Sequence, residues 1–152
     1  MASMLLNKRI NTEIKKFTNS ELIWLITGDD MKKYRIGIKM PNENNIYAGE
    51  TYFLNVELLA DYPLTPPIVT FDKNTGNGIP EHEHIYSNGH LCLNILYDDW
   101  SPALTLYSIS MSIISMMSSA TERKRPPDDA RYTMTMNRNP QKTRWDFHDD
   151  KV

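Results

Sequence analysis

The chain has 152 residues, a formal net charge of −2 and one cysteine. That length suits a single domain able to bury a core unaided, and the near-neutral balance argues against a broad electrostatic grip on nucleic acid. One cysteine excludes an internal disulfide and no apolar stretch approaches the roughly 20 residues that span a bilayer, so a cytosolic or nuclear protein with no membrane partner is expected.

Apolar Leu6, Ile10, Ile14 and Phe17 recur at helical spacing, with Lys8, Arg9, Glu13, Lys15 and Lys16 between them. This predicts an amphipathic helix over about 5–18, ended by Asn19-Ser20. Strands are predicted at 22–27, 34–40 and 51–58. In the second, Tyr34, Ile36, Ile38 and Met40 share a face; in the third, Tyr52, Leu54, Val56 and Leu58 do. Gly28-Asp29-Asp30 and Pro41-Asn42-Glu43-Asn44-Asn45 supply the turns, and such short connections favour an antiparallel meander.

The corner Asp61-Tyr62-Pro63-Leu64-Thr65-Pro66-Pro67 suits neither a helix nor a central strand, and Tyr62-Pro63 is a candidate cis bond. A short fourth strand at 68–71 leads into an irregular stretch that runs to Trp100. A stretch of about 28 residues without regular structure points to function. The second predicted helix covers about 105–119, capped early by Ser101 before Pro102 or later by Thr105. Its buried side is Leu106, Ile109, Ile113, Met116 and Met117, the methionines serving as core fill. Arg123-Lys124-Arg125, followed at once by two prolines and two aspartates, reads as a solvated loop. Residues 126–152 form a polar, loosely docked segment with Tyr132, Trp145 and Phe147 as anchors. Strands followed by a helix give an α+β fold in one domain over 1–152.

Cys92 closes the run from His82 to Leu93 inside the irregular stretch. A lone thiol after a glycine-containing turn, with histidines nearby, is a candidate nucleophile; the alternative is a small apolar filler. His82, His84, His90 and Cys92 are residue types that zinc accepts, but their spacing fits no common zinc pattern, and no metal is expected.

Tyr62-Pro63-x-x-Pro66-Pro67, His82-x-His84, Gly89-x-Leu91-Cys92-Leu93 and Trp100-Ser101-Pro102-Ala103-Leu104 resemble the ubiquitin-conjugating enzymes in order and spacing. Tyr86-Ser87-Asn88-Gly89-His90, Arg125-Pro126-Pro127-Asp128 and Asn139-Pro140-x-Lys142-Thr143-x-Trp145 are most similar to the family's W-type members. The resemblance implies an N-terminal helix, a four-stranded meander, a catalytic loop, a packed central helix and a short C-terminal segment. It further implies that Cys92 accepts ubiquitin from an activating enzyme as a thioester and yields it to an amine. No cofactor is implied, since ATP is consumed upstream. In most of the family the triplet is His-Pro-Asn; here His82 holds the position with a structural role. His84 replaces the asparagine, either as an oxyanion donor or as a ring bonded to loop backbone, and Glu83 replaces the proline. Asp128 or Asp129 is the candidate acidic gate. Asn94 and Tyr97 stand where an acidic and a basic residue are common. Lys8, Arg9, Leu64, Pro102 and Ala103 are implied contacts for the activating enzyme and for RING or U-box ligases, and charge reversal at Lys8 and Arg9 is expected to slow loading with folding intact. The W-type resemblance implies transfer to α-amino groups of flexible N-termini in preference to lysine. The competing readings are a ubiquitin-binding module without activity and conjugation of another ubiquitin-like modifier.

Overall fold

A computed structural model describes residues 2–28, 30–135 and 140–142; Trp145 and Phe147 lie outside the described residues. Helix α1 covers Ala2–Ile14 and tightens into a 3-10 turn, Lys15–Phe17. Four strands follow, β1 Ile23–Thr27, β2 Lys33–Lys39, β3 Thr51–Glu57 and β4 Ile68–Phe71. They pair antiparallel in the order β1-β2-β3-β4, the expected meander. Ile23 lies opposite Ile38, Tyr34 opposite Val56 and Leu54 opposite Phe71. This register puts the apolar members of each alternating pattern on one face, where they are buried.

Helix α2, Leu106–Ser118, shares that core through Leu106, Ile109, Ile113, Ile114 and Met117. Of the two predicted caps the structure uses Thr105. Its hydroxyl accepts from Ser108 N–H at 3.1 Å and its own N–H donates to the Ser108 hydroxyl at 2.8 Å, a reciprocal capping box. Met116, expected in the core, is only partly buried; it lines a surface cavity described below. Between β4 and α2 the chain is irregular apart from a 3-10 turn at Asn94–Leu96 and isolated bridges. The segment expected to dock loosely contains a further helix, α3 at Asp129–Thr135, with Tyr132 buried, and a 3-10 turn at Pro140–Lys142. Among the described residues no helix is long and apolar enough to cross a membrane.

The main departure from the predicted pattern is Glu13, which the helical period places among the polar residues. It is 2% exposed. Its Oε2 accepts from Arg9 Nε at 2.9 Å and from the Tyr62 hydroxyl at 2.5 Å, and its Oε1 accepts from Leu106 N–H at 2.7 Å. Leu106 is the first residue of α2, where a helix leaves backbone donors unsatisfied and its dipole favours negative charge. Arg9 then donates from Nη2 to the carbonyls of Pro102 and Leu104, each at 2.7 Å. The Tyr62-Pro63 peptide is cis, and Trp100 Nε1 donates to the Pro63 carbonyl at 2.8 Å. One carboxylate therefore joins α1, the proline corner and the start of α2. Replacing Glu13 with Ala leaves a partly buried cation and two buried donors without their acceptor, and is expected to cost about 3 kcal/mol. A urea-unfolding midpoint close to that of the parent chain would contradict this.

Candidate active site

The path of the loop around Cys92 is set by main-chain bonds. Arg125 donates to three carbonyls, from Nη1 to Pro80 at 2.6 Å and Ile85 at 3.2 Å, and from Nη2 to Ile79 at 3.2 Å. Arg123 donates to the Ile46 carbonyl and to Glu50, with its guanidinium 4.8 Å from the Tyr47 ring centroid. The run is irregular and exposed at Arg123 and Lys124, as expected of a solvated loop, and Lys124 meets only Glu83 and Glu122; Arg125 is the departure, being partly buried against the three carbonyls. Gly89 turns with a φ of +93° and passes so close to Phe71 that a Cβ would collide with the Phe71 carbonyl. Phe71 N–H donates to the Gly89 carbonyl at 2.9 Å, fastening the turn to β4. Only glycine meets both conditions. Cys92 N–H donates to the His84 carbonyl at 2.8 Å, and the Tyr97 hydroxyl donates to the Leu91 carbonyl at 2.9 Å.

The Cys92 residue is 6% exposed and forms a small buried cluster with Tyr86 and Tyr132. The two tyrosine rings stack with centroids 3.7 Å apart and planes 19° apart. The Tyr86 hydroxyl donates to both carboxylate oxygens of Asp128, at 3.0 and 3.3 Å. Ser87 N–H donates to Asp129 at 2.8 Å, and His90 Nδ1 hydrogen-bonds with the Tyr132 hydroxyl at 2.9 Å. Burial and the Asp128 carboxylate push the Tyr86 hydroxyl well above its ordinary pKa. Burial raises that of Tyr97 further, with Tyr132 and Cys92 adding to it. Both hydroxyls therefore stay neutral donors at physiological pH. The two gate candidates separate by geometry: Asp128 faces the tyrosine beside the thiol, whereas Asp129 is bonded to the loop backbone at Ser87.

His82 and His84 occupy the other side of the loop. Their ring centroids are 5.5 Å apart. His82 Nδ1 accepts from His84 N–H at 3.0 Å, which assigns the ring proton to Nε2, 3.3 Å from the Met116 carbonyl. His84 is buried, with Nε2 3.8 Å from a carboxylate oxygen of Glu83, whose other oxygen is 3.4 Å from Lys124 Nζ. His84, Glu83, Leu93, Ser112, Ser115 and Met116 line much of a cavity of about 330 Å3 along α2. Among the described residues no three His, Cys, Asp or Glu side chains gather in a way that could hold a metal.

The five implied partner contacts belong to segments that the core network binds together. Leu64 is 74% exposed. Lys8, Pro102 and Ala103 are also exposed. Arg9 is the exception, since its guanidinium is committed to Glu13 and to the Pro102 and Leu104 carbonyls.

A thiol on a pinned loop, between an acid-bearing helix and a groove along a central helix, is the arrangement that the family resemblance implies. The chain matches the family described as ubiquitin-conjugating enzyme over residues 5–148. It belongs to the ubiquitin-conjugating enzymes. It is 50% identical over 126 residues to the Caenorhabditis elegans protein named ubiquitin-conjugating enzyme E2 W, covering 83% of this chain and 80% of that one. To the Dictyostelium discoideum protein named probable ubiquitin-conjugating enzyme E2 W it is 43% identical over 148 residues, covering 95% and 96%. The crystal structure of ubiquitin conjugating enzyme E2 UbcA1 from Agrocybe aegerita superposes with a TM-score of 0.82 at 34% identity, over 92% of this chain and 98% of that one.

Within this conjugating enzyme, sequence reasoning missed Tyr86 and Arg125 as site residues and named Tyr132 only as an anchor. Tyr86 signalled itself by heading the motif Tyr86-Ser87-Asn88-Gly89-His90 and by standing six residues before Cys92 in the same run.

Two predictions follow from these bonds. Burial, with the neighbouring His84 adding to it, lowers the His82 pKa from 6.5 to about 4. Protonating Nδ1 would also break the bond from His84 N–H. Between those two values the unfolded chain binds the proton and the folded chain does not, so the His82 contribution to stability is present near neutral pH and is lost as pH falls from 6.5 toward 4. The loss is expected to be about 3 kcal/mol, read from urea midpoints across that window, and His82→Asn should remove this part of the slope. The second concerns α1. Lys8→Glu is expected to leave stability within about 0.5 kcal/mol. Arg9→Glu would set a second carboxylate against the buried Glu13 and cost about 3 kcal/mol, so intact folding is expected of Lys8→Glu and not of Arg9→Glu. Equal melting of the two variants would contradict this.

Proposed function

We propose that this enzyme carries ubiquitin as a thioester on Cys92 and transfers it to amines, preferring α-amino groups over lysine side chains. The observation that carries the reading is the setting of Cys92. Its backbone is fixed by the His84 carbonyl, the next residue Leu93 opens onto the cavity along α2, and Tyr86 links the thiol cluster to Asp128. The cavity offers a course along α2 for an extended peptide tail, beginning at Leu93 beside the thiol residue.

Loading needs little help from the protein. An ordinary thiol near pKa 8.5 is a few per cent thiolate at neutral pH, and it displaces a leaving group of its own kind. Transfer is the harder step. The amine nitrogen attacks the thioester carbonyl, the C–N bond forms, the C–S bond breaks, and the amine's extra proton passes to an acceptor. A lysine amine near 10.4 is well under about 0.1% neutral at pH 7, whereas an α-amino group near 7.7–8 is roughly 10% neutral. Lysine thus depends on groups that strip its proton. In this site Asn94 donates to Asp99 at 2.6 Å and Tyr97 is turned to the Leu91 carbonyl, which leaves Asp128, oriented by Tyr86, as the acceptor of the proton released once the amine has attacked. Such a set favours an amine that arrives neutral. The buried His84 ring lies against His82 and the cavity, which favours a loop-holding role; flexible N-termini reach a thiol this buried more readily than folded surfaces do. The activating enzyme and RING or U-box ligases are assigned to the face bearing Lys8, Leu64, Pro102 and Ala103.

The chain mixed with activating enzyme, ATP and ubiquitin is expected to give a reductant-sensitive adduct that is lost in Cys92→Ala. A folded chain that forms none would turn the reading toward another modifier or a binding role. Peptides identical except for N-acetylation are expected to differ at least tenfold in modification. Equal modification of both would overturn the α-amino preference.

A further inference from the structure

We propose that Tyr132 is a positioning residue for the transfer step, acting through Tyr86 on the carboxylate of Asp128. The inference rests on the reading of Cys92 as the thioester carrier and Asp128 as the group that receives the amine's proton. In that reading the nitrogen bonds to the thioester carbon, Cys92 leaves as thiolate, and the ammonium proton moves to an Asp128 oxygen and then to water.

The geometry supports a relay of orientation. Asp128 stands immediately before α3, and Tyr132 lies one turn further on, its N–H donating to the Asp128 carbonyl at 2.8 Å. Tyr86, Ser87 and His90 lie on the loop turn that faces them. The two sides meet through Tyr86–Asp128, Ser87–Asp129 and His90–Tyr132. The first of these bonds is the one aimed at the proposed proton acceptor. A phenol can swing about its side-chain torsions, and a hydroxyl bonded to both oxygens of a carboxylate has to be held in the carboxylate plane. The ring of Tyr132, stacked at 3.7 Å and itself anchored by His90, supplies that restraint. Cys92 lies in the same buried cluster, so the restraint acts beside the thiol residue. A stack that served stability alone would not require the Tyr86 hydroxyl to end on a carboxylate that is only half-buried. A misplacement of about 1 Å at a reacting group is enough to cost a large factor in rate.

The test is single-turnover discharge of preformed Cys92–ubiquitin thioester to a free-amine peptide, so that only loaded, folded molecules are counted. Tyr132→Leu, which removes the ring, is expected to lower the maximal discharge rate about tenfold with the half-saturating peptide concentration little changed. Tyr132→Phe keeps the stack and is expected to retain most of the rate. Tyr86→Phe keeps the stack and loses the hydroxyl, and is expected to slow discharge as Tyr132→Leu does. Combining Tyr86→Phe with Tyr132→Leu is expected to add no further loss, because both act through one bond. Full-rate discharge by Tyr86→Phe would overturn the proposal even where Tyr132→Leu fails to load, as would losses that multiply in the double variant. Failure of the underlying reading looks different: wild type would form no thioester, or Asp128→Asn would discharge at the wild-type rate. Slow discharge by Asp128→Asn beside normal discharge by Tyr132→Leu overturns this proposal alone.

Discussion

A buried carboxylate organises the molecule. Taking an ion out of water costs several kcal/mol unless charge and hydrogen bonds replace the lost solvation. Glu13 receives three donors from three separate parts of the chain, the guanidinium of its own helix, a phenol from the proline corner and the first backbone amide of α2. Because each donor is needed, the three parts cannot shift independently. Arg9 carries the constraint outward to the Pro102 and Leu104 carbonyls, and Trp100 returns it to Pro63. The outer face made of α1, the corner and the pre-helix loop is therefore bound into one surface although α1 is its only regular element.

The thiol loop is held by a different economy. It has almost no ladder pairing, so its main-chain groups find partners one at a time: Gly89 on β4, His84 with Cys92, Leu91 with Tyr97, and three carbonyls on Arg125. The arrangement keeps a functional segment irregular without leaving its buried polar groups unsatisfied. The segment's side chains divide between the groove, which His84 and Leu93 line, and α3, which Tyr86 and His90 meet.

The parts legible in the sequence are those governed by a single period. The alternation of Tyr34, Ile36, Ile38 and Met40 and of Tyr52, Leu54, Val56 and Leu58 made the two strands and their shared face legible, whereas the register of Ile36 opposite Leu54 came from the structure. The fourth strand was legible to the residue because prolines bound it on one side. Glu13 was not legible: a carboxylate between Lys and Arg neighbours looks solvated, and its burial comes from residues about 50 and 90 positions away. Arg125 failed to announce itself for the same reason, since a short basic run has the same composition in water or against carbonyls. The seven-residue α3 is too short for a helical period and exists through its contacts with Tyr86, Ser87 and His90. Cys92 was legible as a candidate from its isolation and its motif. The tyrosines around it were not, because stacking leaves no spacing rule in the sequence.

The clamp made by Arg125 has a consequence for descent. It grips main-chain oxygens, which every residue type supplies, proline included; one of its three acceptors is Pro80. The course of the loop is thus insulated from most changes in the residues that line it. Glu83, standing where the family commonly has proline, sits inside this insulated stretch. A lineage can therefore try out new chemistry at positions 81–84 while the backbone that presents the sulfur is inherited intact.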